Sequence, residues 1–241
     1  MRTICWFSCG AASAVAASLE PDAELVYCDT GAEHPDNVRF MADCENWLGR
    51  KVTVIKSDEY ADTWDVWEKT GWLAGIHGAR CTTELKVAPR LAFQRPDDVH
   101  VFGYTADGAD QARAMRMRAN YPELKIKTPL IDRGLTKTSC LALIERAGIE
   151  PPPVYAIGFW NNNCLPCPKA TSPSYWSLVR KEFPDKFERM ARLSRDLGVR
   201  LSRINDERIF IDEIPADWPT TSPIAPACDF LCFLAEQDSA A

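Results

Sequence analysis

The sequence predicts an α/β fold with a Rossmann-like parallel sheet and helices on both faces. Two observations predict it. Short apolar or β-branched segments alternate with segments of helical spacing through the first 150 residues, and small or polar residues directly follow several of the strands. Parallel strands need crossover connections, which are usually helices. Ligands of such sheets bind beyond the carboxyl ends of the strands.

Composition supports each predicted element in turn. Predicted strands are rich in apolar and β-branched residues, and the last predicted helix of the sheet region stops at Gly148. The predicted strands are 3–7, 24–30, 51–56, 100–103 and 124–131. The predicted helices are 11–19, 34–47, 83–93, 109–120, 136–147 and a later stretch from 175 to 197. The proline-rich segment 215–226 is predicted to be irregular.

Length and charge bound the class of protein. The 241 residues suffice for an α/β domain at 1–150 and a smaller cysteine-bearing helical and irregular segment at 151–241 that packs on it. The net charge of −6 argues against broad binding of nucleic acid but is compatible with a local basic pocket. No apolar run approaches the roughly 18 residues that span a bilayer, so no membrane partner is expected.

The N-terminal segment has two interpretations. A basic residue, an apolar run and Ala-x-Ala spacing are features of a secretory signal peptide, but apolarity ends at Phe7, short of an apolar core of about 7–15 residues. The alternative is a buried strand, a turn at Ser8–Gly10 and a helix from Ala11 to Leu19. A helix N-terminus presents free N–H groups and a positive dipole end, which suit a phosphate. The second interpretation predicts a cytoplasmic protein with a phosphate site at this turn.

Nine of the ten cysteines fall into two groups. Single cysteines within predicted elements and turns are typical of packed apolar residues. These are Cys5, Cys9, Cys28, Cys44 and Cys140. The pairs Cys164-Leu-Pro-Cys167 and Cys228-Asp-Phe-Leu-Cys232 have the short spacing of metal ligands or redox pairs.

Ser8-Cys-Gly-Ala-Ala-Ser13 resembles the pyrophosphate loop, Ser-Gly-Gly-x-Asp-Ser, of the superfamily of ATP pyrophosphatases and phosphoadenosine-phosphosulfate (PAPS) reductases. Further segments are similar to motifs of that superfamily in the same order. They are Tyr27-Cys-Asp-Thr-Gly31 with His34-Pro35, Arg80-Cys-Thr-Thr-Glu-Leu-Lys86 with Pro89, and Gly103 to Arg113. The run from Tyr155 to Cys167 is similar to PAPS-reductase-related proteins of phages and bacteria. The resemblance covers about residues 1–215.

The chain departs from the superfamily pattern at chemically important positions. Cys9 replaces the first glycine of the loop and Ala12 its aspartate, while the second glycine is intact as Gly10. Reductases of the superfamily carry a catalytic cysteine in a C-terminal Glu-Cys-Gly-Leu-His-type motif, and neither Cys228 nor Cys232 lies in such a motif. These departures argue against the family's reduction of activated sulfate.

The resemblance implies that the loop binds the phosphates of ATP or of a PAPS-type adenine nucleotide. Gly10 and Ala11 would let the backbone approach the phosphates, and the hydroxyls of Ser8 and Ser13 would add donors. The alternative is an ordinary strand-to-helix turn with serine as a cap.

The remaining implied binding residues follow other strands. Asp29, with Thr30 and Gly31, would contact the nucleotide or a bound Mg²⁺. Asp29 could also be a plain turn former. Gly103 lies in the segment that corresponds to the Gly-x-Arg-type motif of the superfamily.

Lys86 and Arg113 are the implied catalytic residues. Their cationic groups would stabilise charge that develops on the phosphates, and a guanidinium can pair with two phosphate oxygens. Both side chains could instead be solvated helix charges, which is the preferred interpretation for Arg116 and Arg118.

The paired cysteines leave three interpretations open. Cys164 and Cys167 could form a redox pair, or they could join Cys228 and Cys232 in a structural zinc site. The third adds Cys81, whose separation of 83 residues from Cys164 is similar to the ligand spacing of adenylyl-sulfate reductases. That resemblance implies a 4Fe–4S cluster on Cys81, Cys164 and Cys167, with Cys232, or Cys228 as its alternate, as fourth ligand or an open iron that carries sulfur.

Taken together, the resemblance implies a nucleotide-dependent transferase of sulfurtransferase type. It would cleave ATP at the α-phosphate to adenylate an acceptor, and sulfur or another nucleophile would then replace AMP. Its expected partners are a nucleic-acid or small-molecule acceptor and a sulfur donor protein. The alternatives are a reductase of adenylyl sulfate or PAPS that uses a C-terminal cysteine, and a non-catalytic, metal-stapled nucleotide-binding subunit.

Overall fold

A five-stranded parallel sheet lies at the centre of the N-terminal part of the chain. The computed structural model describes residues 1–75 and 78–224. Its strands are β1 (Thr3–Phe7), β2 (Glu24–Cys28), β3 (Val52–Ile55), β4 (Ala74–Gly75), β5 (Gly78–Ala79), β6 (Val99–Val101), β7 (Lys125–Lys127), β8 (Ser202–Ile204) and β9 (Glu207–Ile209). The sheet order is β3-β2-β1-β6-β7, with every neighbouring pair parallel. The predicted α/β fold is therefore confirmed.

Helices connect the strands and form most of the C-terminal region. They are α1 (Ala11–Ser18), α2 (Asn37–Leu48), α3 (Thr63–Thr70), α4 (Arg80–Thr82), α5 (Ala88–Phe93), α6 (Gly108–Asn120), α7 (Pro129–Asp132), α8 (Lys137–Arg146), α9 (Val154–Ile157), α10 (Pro173–Glu182) and α11 (Pro184–Asp196). A π-helical turn, Thr83–Val87, joins α4 to α5, and a 3₁₀ turn spans Ile211–Glu213. Among the helices of the described residues, none combines the length and the apolar character that a membrane span requires.

Alternate residues of the central strands face opposite sides of the sheet. Cys5 and Leu25 pack against α1, α2 and α8 in the first core, while Trp6 and Val26 pack towards Phe93 of α5 on the other face. Successive side chains of a strand point in opposite directions, which produces this division. The sheet is thus covered on both faces, as predicted.

A second core is shared by α3, the segment 73–85 and the C-terminal region. Trp67 of α3 packs there with Trp176 of α10 and Met190 of α11, and all three side chains are fully buried. The sequence predicted one helix from 175 to 197, but Phe183-Pro184 divides it into α10 and α11. Proline lacks the N–H that an uninterrupted helix would use there.

Other boundaries also differ from prediction. The predicted strand 124–131 ends at Lys127, because Pro129 starts the short helix α7. The sequence predicted neither α3 nor the β8–β9 hairpin. The hairpin turns through Asn205 and Asp206, both with positive φ, which is typical of a tight two-residue turn.

Candidate functional site

The segment between β1 and α1 forms a tight loop around the Ser13 hydroxyl. Ser13 Oγ accepts a hydrogen bond from the Ser8 N–H at 3.0 Å and donates to the Gly10 carbonyl at 2.9 Å. Cys9 has a φ of 52°, in the left-handed region that favours glycine. This is the position at which the loop of the resembled superfamily has its first glycine. The Ser13 hydroxyl is engaged within the loop rather than directed at a ligand.

Two side chains from the C-terminal region hold this loop in place. The Tyr155 hydroxyl accepts a hydrogen bond from the Ala11 N–H at 3.2 Å. The Asn162 amide donates to the Cys9 carbonyl and, at 2.7 Å, to Asn37 Oδ1. Both residues lie in the segment from Tyr155 to Cys167 that supported the resemblance, but their role in holding the loop was not predicted.

A cavity of about 280 Å³ opens beside the loop at the carboxyl ends of the central strands. Six residues predicted as binding or catalytic line it: Ser8, Gly10, Ser13, Lys86, Gly103 and Arg113. The structure thus brings together residues from three separated segments of the chain. Its position agrees with the rule that ligands of parallel sheets bind beyond the strand ends.

Four cationic side chains line this cavity, together with a single carboxylate among its described lining residues. The cations are Lys86, Arg90, Arg113 and Lys137, and the carboxylate is Asp110. Such an excess of positive charge is notable in a chain of net charge −6. The cavity therefore has the electrostatic character of a site for a polyanion.

Lys137 is a cavity residue that the sequence did not reveal. Its side chain is 95% buried, since only 5% is exposed, and its Nζ donates to Asn161 Oδ1 at 3.0 Å. Burial lowers the pKa of the Lys137 ammonium, against the opposing effect of Cys140 and Asp110. A lysine in the first turn of a helix usually reaches solvent, so the position of Lys137 in the sequence did not indicate that its side chain is buried in a cavity.

Gly103 is required by packing as well as by its place in the cavity. A Cβ at this position would lie 2.8 Å from both the N and the Cα of Ser13. Real Cβ atoms do not approach backbone so closely. The segment after β6 can therefore contact the first turn of α1 only through glycine.

The residues after β2 are placed outside the cavity lining. Asp29 accepts a hydrogen bond from the Gly31 N–H at 2.9 Å and pairs with Lys56 at 2.6 Å. Gly31 has a φ of 64°, and a Cβ there would lie 2.9 Å from the Ala61 carbonyl oxygen. In the structure these residues shape the turn after β2, and their contact with a nucleotide or Mg²⁺ stays a prediction.

Thr30 belongs to a compact polar cluster with Cys164. Its hydroxyl lies 3.1 Å from Cys164 Sγ and donates to Glu33 at 2.6 Å. Lys86 Nζ lies 3.7 Å from the same carboxylate. Burial alone would lower the pKa of the Lys86 ammonium, but Cys164 and Glu33 outweigh that effect and keep its pKa raised. Lys86 thus lines the cavity and also lies next to the polar cluster of Thr30, Glu33 and Cys164. Glu33 was not predicted.

Cys164 and Cys167 line a second cavity, of about 390 Å³. It shares Arg113, Asn161 and Asn163 with the first cavity. Burial raises the pKa of the Cys164 thiol to about 12, although Lys86 opposes the shift.

The predicted metal ligands are only partly within the described chain. Burial raises the pKa of the Cys81 thiol, and the nearby Cys167 adds to the shift. Within the described residues, 1–75 and 78–224, no three His, Cys, Asp or Glu side chains are grouped so that they could hold a metal ion. Cys228 and Cys232 lie outside the described residues. The described residues do not form a complete site for a cluster or for zinc, and both stay predictions.

A scan against protein-family models found no match, and a search of the curated proteins found none either. The structure shows an α/β fold with a five-stranded parallel sheet in the order β3-β2-β1-β6-β7. The superfamily that the motifs resemble therefore stays a prediction, and the cavity at the carboxyl edge of this sheet is the candidate functional site.

Proposed function

We propose that this cavity binds an adenine nucleotide by its phosphates and that the chain transfers the nucleotide's AMP group to an acceptor. The observation that carries the proposal is the convergence of Lys86, Arg113 and Lys137 on a cavity that ends at the N-terminus of α1. Phosphate binds well where backbone N–H groups and a helix dipole meet cationic side chains. ATP, with its Mg²⁺, is the nucleotide that fits this chemistry best.

The proposed reaction begins at the α-phosphorus. A nucleophilic oxygen of the acceptor forms a bond to phosphorus, the bond to the bridging oxygen of the β-phosphate breaks, and pyrophosphate leaves. The N–H groups of the first turn of α1, other than that of Ala11, which donates to Tyr155, would hold the phosphates in line. Lys86, Arg113 and Lys137 would stabilise the charge that develops on the leaving pyrophosphate.

The second cavity supports a following step with sulfur. It contains Cys164 and Cys167 and shares Arg113 with the first cavity. In that step a sulfur nucleophile supplied by a donor protein would attack the activated carbon of the acceptor and release AMP. The acceptor is proposed to be a nucleic-acid base or a small molecule, and the cytoplasm is the proposed location.

Incubation of the pure protein with radiolabelled ATP or PAPS tests the proposal. AMP and pyrophosphate from ATP are the expected products, in an amount that rises when an acceptor-containing fraction is added. Sulfite and adenosine 3′,5′-bisphosphate from PAPS would establish the reductase alternative instead. Binding of nucleotide without any product would establish a binding subunit.

Two matched variants distinguish the role of a positive charge in the cavity from the general effect of removing a positive charge. Arg113→Met is expected to lower product formation by about tenfold or more, because it removes a group that contacts the phosphates. Arg116→Met removes the same charge from an exposed position outside the cavity lining and is expected to retain activity. Equal activity of the two variants would contradict the proposed role of the cavity.

A further inference from the structure

Arg90 is the most deeply buried arginine of the cavity, and it has no polar partner among the described residues. It lies on α5 with 5% of its surface exposed. Its Nε, Nη1 and Nη2 atoms are all buried, and none of them donates a hydrogen bond within the described chain. The motif resemblance did not single it out.

The buried guanidinium of Arg90 therefore lacks a hydrogen-bond acceptor that the described residues could supply. Its guanidinium lies 4.8 Å from the ring centre of Tyr121, which offers a cation–π contact but accepts none of its N–H groups in the usual geometry. A buried guanidinium without an acceptor is unfavourable, because it has lost its hydration and gained no opposite charge. Since Arg90 also lines the cavity, a ligand can supply what is missing.

The position of Arg90 separates it from the phosphate loop. α5 packs against the face of the sheet that carries Trp6 and Val26, whereas α1 packs against the opposite face. The two helices therefore approach the cavity from different sides of the strand ends. One phosphate group at the loop does not account for both.

The chemistry of the missing partner follows from charge and shape. The cavity that Arg90 lines is also lined by the apolar side chains of Trp6, Val26 and Phe102. The neutral edge of a base offers acceptor atoms but no compensating charge, whereas an oxyanion offers both, in the two-point geometry that a guanidinium prefers.

We propose that Arg90 forms a second oxyanion subsite of this cavity, distinct from the loop at Ser8–Ser13. The inference rests on the proposed binding of a nucleotide at that loop. The oxyanion has two possible sources: a further phosphate on the ribose of the nucleotide, or a separate small oxyanion that binds beside it.

Calorimetric titration distinguishes the sources. ADP, adenosine 2′,5′-bisphosphate and adenosine 3′,5′-bisphosphate carry two phosphates each, so a difference among them reports on position rather than on phosphate number. If the ribose supplies the oxyanion, the wild-type protein binds one of the bisphosphates about 10- to 100-fold more tightly than ADP. If a separate ion supplies it, sulfate binds to protein saturated with AMP.

Arg90→Met is expected to abolish whichever preference the wild type shows, and to change ADP affinity less than about twofold. Arg90→Lys keeps the charge but lacks the two-point geometry, so it is expected to lose most of the preference. Arg116→Met, which removes a nearby exposed charge outside the cavity lining, is the matched control and should behave as wild type.

Thermal unfolding without nucleotide tests the Arg90 subsite independently of nucleotide binding. Sulfate is expected to raise the melting temperature of the wild type by more than that of Arg90→Met, because the variant keeps only the loop site and the general stabilising effect of sulfate. Because methionine removes an uncompensated buried charge, Arg90→Met should melt no lower than wild type. A large fall in its melting temperature, or identical responses of the two proteins to sulfate and to all three nucleotides, would overturn the subsite. Absence of any nucleotide binding by the wild type would overturn the proposed function instead.

Discussion

The hydroxyl of Tyr155 accepts a hydrogen bond from the Ala11 N–H across 144 residues of sequence, at a distance of 3.2 Å. This contact fixes the start of α1 to a fully enclosed side chain of the C-terminal region, since only 3% of Tyr155 is exposed. The loop between β1 and α1 is thus not held by local contacts alone. Its geometry depends on a part of the chain that is distant in sequence.

Tyr155→Phe removes this acceptor and keeps the ring. We expect the free energy of unfolding to fall by about 1–2 kcal/mol, because the Ala11 N–H loses its partner in a buried position. Nucleotide affinity should fall as well, since the loop is less firmly placed. Urea unfolding and calorimetry measure the two effects. Tyr60→Phe, outside the loop, is the control, and an equal loss in both variants would contradict the role of Tyr155.

Gly10→Val is expected to abolish measurable nucleotide binding while the chain still folds. A Cβ at Gly10 would lie 3.1 Å from the Tyr155 hydroxyl, and the branched side chain would also obstruct the approach of a phosphate to the backbone. The backbone at Gly10 has a φ of −114°, which any residue can adopt. Gly108→Val, where a Cβ meets nothing within 4 Å, is the control. Wild-type affinity for ATP in a folded Gly10→Val protein would refute the loop as the site.

Gly103→Ala should destabilise the fold by about 1–3 kcal/mol, since the new Cβ must displace the backbone of Ser13. The comparison is Gly108→Ala, at an exposed position without neighbours, which should be neutral or slightly stabilising. Urea unfolding of both proteins provides the measurement. A Gly103→Ala protein as stable as wild type would show that the first turn of α1 can move away at little cost.

Nucleotide affinity should fall at alkaline pH because of Lys137. Burial holds the pKa of its ammonium below the ordinary value of 10.5, and only the protonated form attracts phosphate. Affinity is therefore complete below the lowered pKa and declines as pH rises through it. Lys137→Arg keeps its charge throughout, so its affinity should stay flat over about pH 7–10. Lys86→Arg should retain the decline, since the pKa of Lys86 is raised. A flat wild-type profile would contradict this assignment.

Metal content tests the cysteine hypothesis directly. Protein purified without oxygen is expected to be brown, with broad visible absorbance that oxygen destroys. Cys81→Ser, Cys164→Ser and Cys167→Ser should lose the colour, and Cys232→Ser should lose part of it. Cys44→Ser and Cys140→Ser are the controls, because both thiols are fully buried in the first core. Colourless protein with one zinc would favour the structural zinc site, and iron retained in Cys81→Ser would contradict its assignment as a ligand.

The sheet was predictable because each of its strands has a local signature. Thr3–Phe7 and Glu24–Cys28 are short apolar runs closed by small or polar residues, and the structure keeps both as strands. Pro184 is a signal for a helix break, but the helical spacing of apolar residues continues across Phe183-Pro184. The prediction of one helix therefore missed this boundary. Local pattern therefore specified the elements better than it specified their ends.

Much of the site was not predictable, because its residues are ordinary in local sequence and become unusual only in three dimensions. Lys137 and Arg90 lie on helices, where charged residues usually face solvent, and long-range packing alone makes them buried. Glu33 meets Cys164 across 131 residues. The loop itself was recognisable because its small residues serve a local backbone geometry.

Because the loop is attached to the C-terminal region, ligand binding at the loop and local unfolding of that region are thermodynamically coupled. Phe159 and Leu165, which flank Asn162, are packed in the same core as α10 and α11, so detachment of those helices would release the hydrogen bonds that hold the loop. A ligand that binds only the assembled state raises the free energy of that opening, by about 2.7 kcal/mol when its concentration is about a hundred times the Kd. Amide hydrogens in α10 and α11 should then exchange about a hundredfold more slowly, although neither helix lines the cavity beside the loop.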